Sequence, residues 1–244
     1  MILVDTTLIP AIITASIALL AAIGAQMLSH WFTLRRERKK DAKKTYQEFI
    51  YPFLNDILLF VNTETDFRKD HDVEIPINSD GLIKQIEKKI SLGNSKLLNA
   101  IYFYRHSITF FDGRGMSRDV SILNIFFEFL SYSNEILKHT GDANNDILVN
   151  IKETQKLYGI WSVLTNIYGF ETSSDILRWK WLWSKGYLDR ITLEELTVLM
   201  NQPHVHTYTI KSFIESMKYE FIKAGEEENE SVPIGYLKEF EILP

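Results

Sequence analysis

Between Asp5 and Arg35 the chain runs for twenty-nine residues without an acid, a lysine or an arginine. The run stops against Arg35-Arg36-Glu37-Arg38-Lys39-Lys40-Asp41-Ala42-Lys43-Lys44. As a helix, residues 8–34 would be roughly 40 Å long at 1.5 Å per residue, enough to cross a hydrocarbon core of about 30 Å. A core helix of a soluble protein seldom goes so far without a charge. A cleaved signal peptide is the competing reading, because Ala21-Ala22-Ile23-Gly24-Ala25 resembles a cleavage site. Signal peptides carry their basic residues before the apolar run, whereas here the leader holds only Asp5 and every basic residue follows. The sequence therefore predicts an uncleaved single-pass anchor. Residues 1–7 would be a short translocated N-terminus and everything after the anchor would be cytosolic, by the positive-inside rule, at the cell's inner membrane.

Small residues recur within the anchor at Ala11, Ala15, Ala18, Ala22, Ala25 and Ser29, at steps of four and three that keep them on one narrow helix face. In lipid, close backbone approach through such residues drives helix association, so the seam predicts a homo-oligomer, with Gln26 and Ser29 adding hydrogen bonds. Alanine is also simply common in membrane helices. Ile12, Ile13, Ile17, Leu19, Leu20 and Ile23 take the remaining faces and suit lipid. His30, Trp31 and Phe32 suit the headgroup layer.

Charge is divided sharply along the chain. The collar at 35–44 carries Arg35, Arg36, Arg38, Lys39, Lys40, Lys43 and Lys44 against two acids, a net +5, while 45–244 carries a net −9. Beside an anionic leaflet the collar gains about 1 kcal/mol per basic residue, and the acidic body is repelled. Membrane lipid is thus one expected partner. The roughly 200 residues after the collar suffice for one domain, or two small ones, each with its own core. The chain has no cysteine, so no disulfide framework exists.

Apolar residues after the collar recur at three and four, which predicts an all-α cytosolic domain over 45–225 and an acidic, irregular tail over 226–244. A first segment from about Asp41 to Thr65 places Phe49, Ile50, Phe53, Leu54, Ile57, Leu58 and Val61 on one face, with Pro52 as a kink or restart. A helix from about Asp80 to Leu92, capped by Ser79 or Asp80, buries Leu82, Ile83, Ile86 and Ile90. Gly93-Asn94 ends it, and Ser95 opens another running to about Phe110. Ser117 caps a long central helix through Leu137, and a second long helix spans Asn145 to Tyr168. A short helix from about Ser174 to Ser184 ends near Gly186. Thr192-Leu193-Glu194-Glu195 fits a capping box, which predicts a helix over Leu193 to Asn201. A last helix follows Pro203, from about Thr207 to Ala224.

Catalytic signals are absent from this pattern. The sequence holds no GxSxG, Walker or GxGxxG loop, and Asp112-Gly113-Arg114-Gly115 is too short to cradle a phosphate. His204-Val205-His206 points two imidazoles one way on an extended segment, but zinc needs three or four ligands, and His71, His106 and His139 are scattered. Neither a metal nor a cofactor is expected, and the paired Glu194 and Glu195 suit a helix N-terminus. Residues 193–217 have a helix-turn-helix rhythm, yet 187–244 holds five basic and eleven acidic residues, the wrong sign for phosphate. Nucleic acid is therefore not an expected partner.

The most unusual segment after the collar is Arg178-Trp179-Lys180-Trp181-Leu182-Trp183-Ser184-Lys185. Helical spacing puts Trp179 and Trp183 together near Ile176 and turns Trp181 elsewhere, beside Arg178 and Lys185. Arg178, Trp181 and Lys185 are a candidate contact patch, for headgroups or for a protein, set against two core tryptophans and one covering the surface. The sequence thus predicts a membrane-held scaffold, sensor or effector with an unknown protein partner. A tethered enzyme whose site is assembled from distant residues is the alternative, and a tethered DNA reader a lesser one.

Overall fold

The computed structural model describes residues 8–69, 77–110, 117–141 and 144–201, with helical fragments at 215–216, 218–219 and 222–223. Among these residues the fold is all-α and contains no strand. His71, His204, His206, Asp112 to Gly115, the bulk of the helix expected over Thr207 to Ala224, and the tail at 226–244 lie outside the described residues. So do residues 1–7 and the side chains of Ala11, Trp183 and Lys185.

The first element is a rod. Helix α1 (Leu8–Thr45) passes without a break through a π turn (Tyr46–Ile50) into α2 (Tyr51–Glu64). The stretch Ile12–Glu64 is 53 residues of helix, about 80 Å long. It includes one segment long and apolar enough to cross a membrane, and none of that segment is buried among the described residues. The π turn has a local cause. Pro52 occupies the first turn of α2 and brings no N–H to the carbonyl of Glu48, and Tyr51 N–H reaches back five residues to Tyr46. The Lys89 ammonium donates to that Glu48 carbonyl at 2.9 Å and lies 5.6 Å from the centre of the Phe53 ring.

From Phe49 onward the rod becomes one wall of a bundle, and the expected face of Phe49, Ile50, Phe53, Leu54, Ile57, Leu58 and Val61 is buried. Helix α3 (Ser79–Lys88) begins with Asn78, whose side chain accepts from Gly81 N–H at 2.9 Å, so the cap lies one residue before the expected Ser79 or Asp80. The helix also stops at Lys88 rather than Leu92. A 3₁₀ turn (Ile90–Leu92) follows, which leaves Ile90 half-buried.

Helix α4 (Ser95–Thr109) starts at an Asn94 cap, and α5 (Arg118–Thr140) at the expected Ser117 cap. Gly141 closes α5 in the left-handed region at φ 70°, where a side chain would be strained. Helix α6 (Asn145–Tyr168) matches the expected range. α5 packs between α4 and α6 and so forms the middle of the bundle.

The direction of each helix follows from paired side chains. Phe129 meets Phe49 and Phe53, Phe126 meets Phe60, and Gly141 faces Lys39, so α5 runs antiparallel to the rod. Tyr158 donates its buried hydroxyl to the Ile57 carbonyl at 2.6 Å, and Trp161 stacks on Phe60, so α6 runs parallel to it. These rings form two clusters, one of Phe49, Phe53, Phe129 and Tyr132 and the other of Phe60, Phe126, Tyr158, Trp161 and Phe170. Offset and edge-on ring pairs add about 0.5–1.5 kcal/mol each beyond area burial, so the pairs that Phe49, Phe53 and Phe60 make with α5 and α6 help fasten the rod to the bundle.

The region after Tyr168 departs most from the sequence-based expectation. Instead of one helix from Ser174 to Ser184, two occur: α7 (Phe170–Arg178) and α8 (Lys180–Arg190). The chain breaks at Trp179 because tertiary contacts reward it. The Trp179 ring packs edge-on against Phe67 at 4.9 Å, and Lys180 reaches the end of α2, donating to the Thr65 carbonyl at 3.0 Å and hydroxyl at 2.8 Å. Gly186 lies inside α8 rather than ending it. Glycine costs about 1 kcal/mol against alanine there, and burial of Tyr187 and Leu188 in the next turn offsets it. Helix α9 (Leu193–Asn201) opens on the expected capping box. Thr192 N–H donates to the Glu195 carboxylate at 2.8 Å, and Glu195 N–H returns to the Thr192 hydroxyl at 3.1 Å.

Candidate functional site

Three surfaces carry the candidate residues, and the rod sets their spacing. The first is the apolar half of α1. Ile12, Ile13, Ile17, Leu19, Leu20, Ile23, Met27, Leu28, Trp31 and Phe32 are all exposed, at 48 to 69%. Each such side chain gains about 1.5–3 kcal/mol on burial, so leaving ten in water costs on the order of 15 kcal/mol, as much as a whole fold is worth. Ala15, Ala18, Ala22, Ala25 and Ser29 are exposed on the same rod, and a Cβ added to Gly24 would meet nothing within 4 Å. At the end of the apolar run the Arg35 guanidinium lies over the Trp31 ring, 5.7 Å from its centre.

The collar follows directly. Ala42 is buried against the bundle, which turns one side of the collar inward. Arg36, Lys39, Lys40, Lys43 and Lys44, with Gln47, surround an open hollow of about 510 Å³. Arg35 and Arg38 are not part of that hollow. A Cβ on Gly141 would lie 3.3 Å from the Lys39 ammonium, so this cation sits at the carbonyl end of α5, where the helix dipole favours it.

The second surface is a cleft of about 770 Å³, with α5 and α6 as its floor and α4 and α9 as its walls. Four asparagines line it, one per helix: Asn99, Asn124, Asn166 and Asn201. Asn124 accepts from the buried Ser162 hydroxyl at 2.6 Å, and Asn201 donates to the Thr197 carbonyl at 2.9 Å. Glu128 lies in the same lining. Burial pushes its carboxyl above the ordinary value, and the nearby Lys96 ammonium offsets part of that.

Along the α4 wall of the cleft runs a row at steps of four, of which Tyr102 and His106 line the cleft itself. Leu98, Tyr102 and Phe110 are exposed, with His106 between, and its ring lies 6.4 Å from Tyr102 and 4.6 Å from Phe110. Phe103 adds a further exposed ring, 5.6 Å from Tyr102. Sequence reasoning missed this surface. A signal was present, because α4 holds apolar residues on two faces: Leu97, Ala100, Ile101 and Tyr104 inward, the row outward.

An ion-pair clamp fixes the outer end of α4. Tyr104 donates its hydroxyl to Asp80 at 2.7 Å, and Arg118 pairs with the other carboxylate oxygen. Burial and the Asp80 carboxylate push the Tyr104 hydroxyl up to about 12. Burial also raises Asp80, but the Tyr104 and Arg118 hydrogen bonds outweigh it and the carboxyl ends below its ordinary 3.8.

The third surface is the tryptophan segment. The break at Trp179 brings the Trp179 and Trp181 rings within 6.4 Å, which corrects the expectation that Trp181 points away from its neighbour. Trp179 is half-buried, Trp181 is 49% exposed, and Arg178 pairs with Asp175 at 3.3 Å. Lys180 anchors the segment at Thr65, and burial lowers its ammonium, with Asp66 offsetting part of the effect. Thr65 closes the rod thirty residues beyond Arg35 and twenty-one beyond Lys44, so this segment stands about 30–45 Å from the collar along the rod.

Among the described residues no group of three or more metal-ligating side chains comes together. Of the helix-turn-helix pair, α9 is present and buries Leu196 and Met200 on α6, while its proposed partner lies outside the described residues. The chain matches no known protein family, no curated protein and no solved structure, so its own residues carry the functional reading.

Proposed function

We propose that the protein is a single-pass membrane adaptor. Residues 8–34 cross the inner membrane with the N-terminus outside, residues 35–44 form a cytosolic collar, and the bundle from 45 to 225, followed by the tail, holds a protein partner in the cytosol. The exposed α4 row beside the asparagine-lined cleft carries this reading. Amide side chains donate and accept hydrogen bonds at once, as an extended peptide backbone requires, and they do not titrate. The amides support binding, while Glu128, Lys96 and His106 in the same lining keep a tethered enzyme as the second reading. Tyr102, Phe103 and Phe110 supply apolar and aromatic contact of the kind enriched in interface cores. The partner is thus a segment of a protein in extended form, with apolar side chains toward α4.

The support for the anchor is the apolar exposure of α1 together with the cation cluster that ends it. The exposed small-residue face is available for pairing two copies, which would present two clefts together. Because the chain has no cysteine, single cysteines at Thr6 and Ser231 report orientation cleanly with a membrane-impermeant thiol reagent. Labelling of the first alone on intact cells is the expected outcome, and labelling of the second would reverse the topology. For the cleft, a photo-crosslinker at Tyr102 of the full chain should capture a partner that Phe103→Glu or Asn124→Leu reduces at least tenfold. The same crosslinker at Tyr51, exposed on the other side of the rod, serves as control. Capture unaffected by either substitution would remove the cleft from the function.

A further inference from the structure

We infer that the collar hollow binds a lipid whose headgroup carries phosphate monoesters and projects from the bilayer, rather than serving as a general electrostatic tether. This rests on the membrane reading above and sharpens it. At about 100° per residue, the cations from Lys39 through Arg36 to Lys44 occupy one arc of about 140°. Glu37 and Asp41 fall beyond one edge of the arc, Arg35 and Arg38 beyond the other, and Ala42 marks the side packed on the bundle. A diffuse tether needs no such sorting, because a flat anionic surface attracts cations on any side of a perpendicular helix. The hollow lies to one side of the rod, open to solvent and lined by five cations and one amide.

Height makes the same distinction. Arg36 lies two residues past Leu34, about 3 Å along the axis, but Lys44 lies ten residues past it, about 15 Å. Helical side chains lean back toward the N-terminus, which brings the Lys44 ammonium down by about a turn, to roughly 10 Å. With a screening length of about 8 Å at physiological salt, the surface potential there falls below about a third of its surface value. Diester phosphates at the bilayer surface therefore serve Arg36 well and Lys44 poorly. A headgroup that carries monoester phosphates upward beside the helix meets Arg36, Lys40 and Lys44 in succession, two helical turns from first to last. Each monoester brings close to two negative charges and three acceptor oxygens, which suits several ammonium donors and a guanidinium.

The test uses the full chain in phosphatidylcholine nanodiscs doped either with phosphatidylinositol bisphosphate or with phosphatidylserine at equal total lipid charge. Lipid retained on the protein is read by native mass spectrometry. At least fivefold enrichment of the bisphosphate lipid is expected, with the triple variant R36Q/K40Q/K44Q reduced to the phosphatidylserine level and R35Q/R38Q retaining at least half. Equal retention of the two lipids, or an equal loss in both variants, would overturn the inference. Soluble inositol trisphosphate that displaces the lipid completely at equimolar concentration would assign the site to a free phosphate instead. Failure of the chain to enter nanodiscs would overturn the anchor reading itself, an outcome distinct from a failure of lipid preference.

Discussion

Gly159 brings α6 close to both α5 and α9, and Gly159→Ala tests whether α9 is held as a wall of the cleft by that approach. A Cβ there would lie 3.2 Å from Leu196 Cδ1, 3.3 Å from Leu196 Cβ and 3.2 Å from Phe127 Cε2. Two effects oppose each other. Alanine improves the helix by about 1 kcal/mol. Forcing a methyl group into a filled site costs about 1–3 kcal/mol. Phe127 belongs to the middle helix and is buried, so it has little room to retreat. The strain therefore falls on α9, a nine-residue helix seated through Leu196 and Met200. The balance is a net loss of about 1 kcal/mol, which for a chain of this size lowers the melting temperature by about 2–4 °C.

The assay is thermal unfolding of the full chain in nanodiscs, followed by tryptophan fluorescence, with hydrogen exchange along α9. Exchange at α9 should rise more than exchange at α5. Leu196→Ala alone should cost about 2–5 kcal/mol, and the double variant about 1 kcal/mol less than the sum, because the smaller side chain leaves room for the methyl. Stabilisation by Gly159→Ala with unchanged α9 exchange would refute the close packing, and with it the claim that α6 positions this wall.

Four further outcomes follow from individual contacts. Lys89→Met should destabilise the protein by about 1 kcal/mol, but by much less in a Pro52→Ala background, where an N–H is restored to the π turn; equal costs in both backgrounds would detach Lys89 from that role. Asp80 has a depressed carboxyl, so its stabilisation is present above about pH 3.8 and lost as pH falls through its lower folded value. Asp80→Asn should cost about 1 kcal/mol at pH 7, with the difference from the parent closing toward pH 3 in denaturant titrations. Glu128 has the opposite sign: its raised carboxyl opposes folding once ionised, so Glu128→Gln should raise the melting temperature at pH 7, with the gain fading as pH falls through the carboxyl range. In the apolar half of α1, single cysteines at 15, 18 and 22 should cross-link better than those at 13, 17 and 20, and equal yields would discard the proposed pairing face.

Much of the fold was legible because its signals are local. Ser117 and the Thr192–Glu195 box mark helix starts by satisfying N–H groups within three residues, and these matched the structure. The α6 range and the buried face of α2 follow from apolar periodicity, which operates within a few turns. The Ser79 or Asp80 cap failed narrowly, because Asn78, Ser79 and Asp80 are all competent and only the geometry of the incoming chain selects among them. The α7–α8 break at Trp179 was illegible because no glycine or proline announces it. Its cause lies over a hundred residues away, in Thr65, and in Phe67.

The same division runs through the candidate sites. The sequence alone determined the apolar run, the cation cluster that ends it and the all-helical body, since composition and short-range spacing define all three. Tertiary structure alone decided which cations share a hollow, where the tryptophan segment stands, and that a cleft exists. Those properties depend on a rod of continuous helix and on four helices separated along the chain, and side-chain packing between distant segments brings them together. A cleft of this kind is a relation among helices, and no single stretch of the sequence contains it.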